Sequence, residues 1–114
     1  MKTIKFIISA LISIVITIGA FAQDKSLKTE SFKVYGNCES CQARIEKSLK
    51  IDGISKANWD VKSKMLTVTY NPSKISIDNI HKKVAAVGHD TEKLKADDKV
   101  YAALPGCCQY ERKK

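Results

Sequence analysis

A strand gives way to a helix within residues 32–41, which have the sequence FKVYGNCESC. Phe32 and Val34 alternate with polar side chains, as expected for a half-buried strand that ends at Gly36. The period then changes, and apolar side chains recur every four positions, at Cys41, Ile45 and Leu49. This change predicts an amphipathic helix over residues 39–50 with a C-x-x-C pair at its start.

The pattern downstream predicts a hairpin, a second helix and a short last strand. Apolar and polar side chains alternate over residues 54–61 and 65–70, on either side of a polar turn. Ser76 can cap the second helix and Gly88 can end it, and a fourth strand is expected at residues 91–94. The order β-α-β-β-α-β favours a ferredoxin-like α+β fold, a four-stranded antiparallel sheet with both helices on one face.

The first 22 residues have the organisation of a secretory signal peptide. Lys2 and Lys5 precede an uncharged run, and the segment ends in the small-x-small pattern Ala20-Phe21-Ala22. We expect cleavage before Gln23, which predicts a periplasmic or secreted protein with no stable membrane insertion. A retained anchor is the alternative, but the run is shorter than the ~20 residues that span a bilayer.

Removing 22 residues from the 114 leaves 92, enough for one small domain with a modest core. We predict a polar leader over residues 23–29, a domain over residues 30–96 and a C-terminal extension over residues 97–114. The formal charge falls from +8 to +6 when the two N-terminal lysines are removed. The remaining lysines are scattered rather than grouped with aromatic residues, which argues against a nucleic acid partner.

Four cysteines carry the chemistry of the chain: Cys38, Cys41, Cys107 and Cys108. An even number in an exported protein is typical of disulfides, but a C-x-x-C pair and an adjacent pair suit metal binding or redox exchange better. At a helix N-terminus the backbone dipole is expected to lower the pKa values of Cys38 and Cys41. Paired soft sulfur ligands favour Cu(I), with Hg(II) and Zn(II) as alternatives. A structural disulfide and a thioredoxin-like redox pair are competing interpretations.

Residues 32–95 resemble the heavy-metal-associated domains of copper chaperones, copper-transporting ATPases and periplasmic mercury-binding proteins. The matching strings are FKVYGNCESC, DGISKANWDVKSKMLTVTYNPSKIS and IHKKVAAVGHDTE. The resemblance implies a ferredoxin-like domain that binds a soft metal ion through Cys38 and Cys41. It also implies a metal-transporting ATPase or another metal-binding protein as the partner.

The sequence departs from this family pattern at two places. The family usually has G-M-x-C-x-x-C, whereas Gly36-Asn37-Cys38 is one residue shorter and lacks the methionine that packs beneath the loop. His89 follows the glycine that ends the second helix, where the family often has an aromatic residue or lysine. It is a candidate third ligand, or else a surface residue that fills a packing role. His81 is expected on the exposed face of the second helix.

The tail cysteines Cys107 and Cys108 lie outside the family core, and three uses are open. They can add sulfur ligands to the main site, form a separate metal site, or form a disulfide that blocks Cys38 or Cys41. No catalytic set or phosphate-binding loop accompanies them, so we predict a non-enzymatic carrier, buffer or scavenger of Cu(I). Thiol–disulfide exchange between the two pairs is the alternative function, and an interaction module with oxidised cysteines is a third.

Overall fold

The computed structural model describes residues 27–112, so the predicted signal peptide lies outside the described residues. Within that range no helix has the length and apolar character needed to cross a membrane. The elements are β1 (Lys28–Lys33), α1 (Glu39–Ser48), β2 (Ile54–Trp59), β3 (Met65–Tyr70), α2 (Ile77–Ala86) and α3 (Asp98–Ala102), followed by a 3-10 turn at Gly106–Cys108.

The strands form a three-stranded antiparallel sheet in the order β1-β3-β2. The alternation predicted for the central strand β3 is confirmed, because Leu66 and Val68 are fully buried whereas Met65 and Thr67 are exposed. Side chains at alternate positions of a strand lie on the same face of the sheet. One face is therefore apolar, and it is the face that the helices cover.

Strand β1 begins earlier than the sequence pattern predicts. Lys28 and Thr29 pair with β3, although residues 23–29 were expected to form a loose leader. The hydroxyl of Thr29 lies 2.9 Å from the Thr69 hydroxyl across the pair. Residues 28–31 are all exposed, so no apolar alternation marks the start of the strand in the sequence. Backbone pairing and cross-strand hydroxyl contacts define it instead.

Helices α1 and α2 pack on the apolar face of the sheet and share one core with it. The helical side chains in that core are Cys41, Ile45, Leu49, Ile80 and Val84. The predicted ends of α2 are confirmed: the Ser76 hydroxyl accepts a hydrogen bond of 3.1 Å from the Asn79 amide, and Gly88 follows the helix with a φ of 102°. Gly88 tolerates that left-handed backbone because it has no Cβ.

The structure does not confirm the predicted fourth strand at residues 91–94. A single antiparallel bridge joins Thr91 to Val34, on the outer side of β1. The chain then curls, because the Thr91 amide donates to the Leu94 carbonyl at 2.8 Å and the Thr91 hydroxyl accepts from the Lys93 and Leu94 amides. These local bonds occupy backbone groups that a longer ladder with β1 would need.

The expectation that His81 lies on the exposed face of α2 is wrong. Its side chain is 1% exposed and stacks on Phe32, with ring centroids 3.8 Å apart. Its Nδ1 lies 2.6 Å from the Thr91 hydroxyl oxygen, which already accepts two backbone N–H groups. The Thr91 hydroxyl hydrogen is therefore donated to Nδ1, which requires a neutral imidazole.

The loop between β1 and α1, which lacks the family methionine, packs against Trp59. The indole N–H donates to the Val34 carbonyl at 2.9 Å, and the ring is almost fully buried. A Cβ atom on Gly36 would lie 3.0 Å from two atoms of this ring and 3.1 Å from the Cys41 Cβ. The loop thus approaches the core more closely than any residue with a side chain would allow.

The C-terminal extension folds back onto the end of α2. The Asp97 carboxylate caps α3 by accepting from the Lys99 amide at 2.8 Å. Leu104 is buried, and a Cβ atom on Gly88 would lie 3.1 Å from its side chain. The 3-10 turn that follows packs beside α1.

Acidification is expected to destabilise the fold through His81. Burial, and next the charge of Lys93, lower its pKa in the folded chain, and the opposing carboxylates of Glu92, Asp78 and Glu30 contribute less. The unfolded chain therefore binds a proton at this histidine more readily than the folded chain does. The contribution of His81 to the free energy of unfolding is constant above about pH 6.5 and falls as the pH drops below that value. His81→Gln keeps a hydrogen-bonding side chain without this proton. Urea unfolding between pH 7.5 and 5 should show a smaller loss of free energy in the variant than in the wild type, and equal losses would contradict the assignment.

Gly36→Ala is expected to destabilise the metal-free chain by about 1–3 kcal/mol, because the added methyl group overpacks the rigid Trp59 ring. Gly106→Ala is the matched control, since a Cβ at Gly106 meets nothing within 4 Å. Urea unfolding of the two variants beside the wild type measures the difference. Equal stability of Gly36→Ala and Gly106→Ala would show that the loop is free to move off the ring.

Candidate metal centre

The C-x-x-C pair lies where the sequence places it, at the junction of β1 and α1. Cys38 is the N-cap residue of α1 and Cys41 lies in the first turn. Their Sγ atoms are 3.9 Å apart. Cys41 is fully buried, whereas Cys38 is partly exposed, so the pair is reached from the side of Cys38.

The tail brings a third sulfur to this pair. The Sγ atoms of Cys38, Cys41 and Cys108 all lie within 4.8 Å of one another. Cys108 is fully buried in the 3-10 turn and, like the other cysteines, is a free thiol. The tail thus folds back onto the main pair, a position from which Cys108 can either add a sulfur ligand or form a disulfide with Cys38 or Cys41.

The two adjacent tail cysteines have different surroundings. Cys107 is exposed, and its Sγ lies 3.8 Å from the Cys108 Sγ without joining the group of three. The backbone of Cys107 still contacts the site, because its carbonyl accepts a hydrogen bond of 3.4 Å from the Cys38 thiol. One cysteine of the pair therefore points inward and the other toward solvent.

Arg44, which the sequence did not mark as a site residue, contacts the third sulfur. Its Nη1 donates to the Cys108 Sγ at 3.1 Å. Arg44 lies three positions after Cys41, so both side chains lie on the same side of α1. Burial raises the pKa of Cys108, but the hydrogen bonds from Arg44, Cys41, Ser40 and Cys107 outweigh it and lower that pKa to about 7.

The expectation that the helix N-terminus lowers the pKa of Cys41 is wrong for the metal-free chain. Burial raises the pKa of this thiol to about 11, although the Asn37 amide donates to its Sγ at 3.3 Å. Desolvation disfavours a thiolate more strongly than the backbone hydrogen bonds at Asn37 and Cys38 stabilise it. Metal binding at Cys41 therefore has to displace a proton.

His89 is buried in the core beside the centre. Its Nδ1 donates to the Tyr35 carbonyl at 2.8 Å, and its ring stacks on Tyr110 with centroids 5.3 Å apart. The Nε2 atom is buried without a hydrogen-bond partner among the described residues. His89 is fully buried, not a surface residue, and it is not among the side chains whose ligand atoms lie within 4.8 Å of one another. The structure thus brings Cys108 to the pair, and not His89.

A basic groove runs along α1 next to the centre. It has a volume of about 590 Å³ and is lined by Ser40, Ala43, Arg44, Lys47, Ser48 and Val87. Its two cations are Arg44 and Lys47. The groove opens beside Arg44, which contacts Cys108. A ligand or partner bound there therefore lies close to the sulfur cluster.

Comparison with known sequences identifies relatives that carry the same domain. A zinc-transporting ATPase of Synechocystis sp. is 39% identical over 69 residues, which are 59% of this chain and 10% of the ATPase. The copper chaperone CopZ of Staphylococcus epidermidis is 32% identical over 62 residues, which are 53% of this chain and 91% of the chaperone. The chain thus spans about a tenth of the transporter and nearly all of the chaperone.

Solved structures have the same fold. The N-terminal domain of a potential copper-translocating P-type ATPase from Bacillus subtilis, in the Cu(I)-loaded state, has a TM-score of 0.55 and 31% identity over 65% of this chain and 95% of that one. A CopZ metallochaperone has a TM-score of 0.54 and 26% identity over 56% of this chain and 98% of that one. These likenesses support a ferredoxin-like α+β fold, within which this chain has three paired strands.

The family comparison covers β2, β3, both long helices and the C-x-x-C pair, and it begins at the last residue of β1. The family model of the heavy-metal-associated domain matches residues 33–90, which is half of the chain. The relatives are metallochaperones and parts of metal-transporting ATPases, which fits the non-enzymatic interpretation. By its sequence, its fold and the position of its cysteine pair, the chain belongs to the heavy-metal-associated domain family.

Proposed function

We propose that the chain binds a thiophilic metal ion, Cu(I) first of all, through Cys38 and Cys41, and acts as a carrier, buffer or scavenger. The distance of 3.9 Å between the two Sγ atoms carries this proposal. Metal–sulfur bonds are about 2.3 Å for zinc, so two sulfurs bound to one ion lie at most about 4.6 Å apart. The metal-free pair already satisfies that limit, and an ion can bind without rearrangement of α1.

The donor atoms support the choice of a soft ion. The converging side chains found among residues 27–112 offer sulfur only, with no carboxylate in the group. Thiolates bind Cu(I) and other thiophilic ions in preference to hard cations. A copper chaperone and a zinc-transporting ATPase are both among the relatives, so Zn(II) is the first competitor to test, followed by Hg(II).

The basic groove along α1 supports a protein partner. Arg44 and Lys47 line it beside the sulfur cluster, and their charge favours a partner with an acidic surface near its own metal site. A metal-transporting ATPase or another metal-binding protein fits this description. Binding there would bring the partner's ligands close to the partly exposed sulfur of Cys38.

Copper binding is expected to depend on the C-x-x-C pair. Anaerobic titration of the reduced chain with Cu(I), against a chromogenic chelator, should give one tightly bound ion per chain. Cys38→Ser/Cys41→Ser should lose this binding because both thiolates are removed, whereas Ser55→Ala, at an exposed position of β2, should retain it. A wild type that cannot compete with the chelator would contradict copper binding, and turnover with a dithiol would then indicate thiol–disulfide exchange.

Export is expected to remove residues 1–22. When the full chain is expressed in a bacterial host with a Sec pathway, the purified protein should begin at Gln23, because the Ala20-Phe21-Ala22 pattern satisfies signal peptidase. Intact mass and N-terminal sequencing measure the cut. Ala22→Leu is the control that should block cleavage. An uncleaved wild-type chain found in the membrane fraction would favour the retained anchor.

A further inference from the structure

We propose that the C-terminal tail supplies a third metal ligand, so that Cys38, Cys41 and Cys108 form one three-sulfur site in which Arg44 positions Cys108. The inference rests on the proposed function, because it concerns the same site, and it extends that site beyond the C-x-x-C pair.

The positions of the three sulfurs match a trigonal site closely. Three sulfurs around one ion in a plane, with bonds of about 2.3 Å, lie about 4 Å apart. The Cys38 and Cys41 sulfurs are 3.9 Å apart, and Cys108 lies within 4.8 Å of both. Closure around an ion therefore needs a contraction of at most about 0.8 Å at Cys108, which side-chain rotation supplies.

The third sulfur is delivered by a well-anchored segment. Two residues beyond Cys108, the buried Tyr110 hydroxyl donates to the Gly88 carbonyl at 2.7 Å and accepts from the Asp90 amide at 2.8 Å. Four residues before it, Leu104 packs against Gly88. The tail is thus attached to the end of α2 on both sides of Cys108, so the thiol is presented at a defined position.

Arg44 offsets part of the negative charge that such a site would carry. Cu(I) bound by three thiolates has a net charge of 2−, and a buried negative charge needs a cationic or hydrogen-bonding partner. The Arg44 guanidinium donates to the Cys108 Sγ at 3.1 Å and supplies both. We expect Arg44 to act through Cys108 as a positioning residue, without contacting the ion.

Binding at this site changes bonds without any redox step. Three metal–sulfur bonds form, each protonated thiol releases its proton to solvent, and the oxidation state of the ion is unchanged. The hydrogen bond from the Cys38 thiol to the Cys107 carbonyl is lost with its proton. A partner must then displace Cys108 before it can take the ion, so the tail favours retention, as in a buffer or scavenger, over rapid transfer.

The adjacent cysteines provide a matched pair of variants. Cys108→Ser should lower the Cu(I) affinity of the reduced, purified chain about tenfold or more, whereas Cys107→Ser should leave it within about twofold, since only Cys108 lies in the group of three. Arg44→Met should also lower the affinity, and Arg44→Lys should restore most of it. Chelator competition measures the affinities, and circular dichroism with urea unfolding shows which variants are folded.

X-ray absorption at the copper edge measures the coordination number directly, in the wild type and in the two cysteine variants. The wild type and Cys107→Ser should show three sulfurs around copper, and Cys108→Ser should show two. Two sulfurs in the wild type, or a Cys108→Ser chain with wild-type affinity, would overturn the inference while leaving the proposed C-x-x-C function intact. A wild type that binds no copper would instead overturn the proposed function itself.

Discussion

The attachment of the tail through Tyr110 is the constraint on which the rest of the centre depends. The hydroxyl of this buried residue donates to the Gly88 carbonyl and accepts from the Asp90 amide, so it satisfies two backbone groups just beyond α2. A buried hydroxyl and two buried backbone groups would each be destabilising without these bonds. Burial raises the pKa of Tyr110, which keeps the phenol neutral and able to donate. Cys108, two residues earlier, is thereby held beside α1.

The same segment explains why a fourth strand does not extend along β1. Asp90 is fully buried, and its carboxylate accepts from the Ala96 amide at 2.7 Å and pairs with Arg112 at 2.9 Å. A buried carboxylate needs such partners, and here they come from the chain that follows and from the tail. Residues 90–96 therefore curl around Asp90 and receive the tail. In place of the predicted strand at residues 91–94, this segment forms the site where the C-terminal tail is attached.

The metal centre combines one local and one distant contribution. Cys38, Cys41 and Arg44 lie within two turns of one another, because α1 begins at the first cysteine of the pair. The Glu46 carboxylate accepts a hydrogen bond of 3.0 Å from the Trp59 amide and so connects α1 to the end of β2. The helix is thus fixed to the sheet by a contact that does not involve the tail. The family domain supplies the pair, and the extension places the Cys108 sulfur beside it.

Features that depend on neighbouring residues could be predicted from the sequence. Period-two and period-four patterns indicated β3 and α1, Ser76 indicated the start of α2, and C-x-x-C indicated the metal pair, because these signals reflect which face of a local element is apolar or which backbone group needs a cap. The burial of His81 against Phe32 and the contact of Arg44 with Cys108, 64 positions apart, depend instead on tertiary packing. Periodicity along a chain indicates that one face of a helix or strand will be buried. The packing of the whole core determines which distant groups bury it.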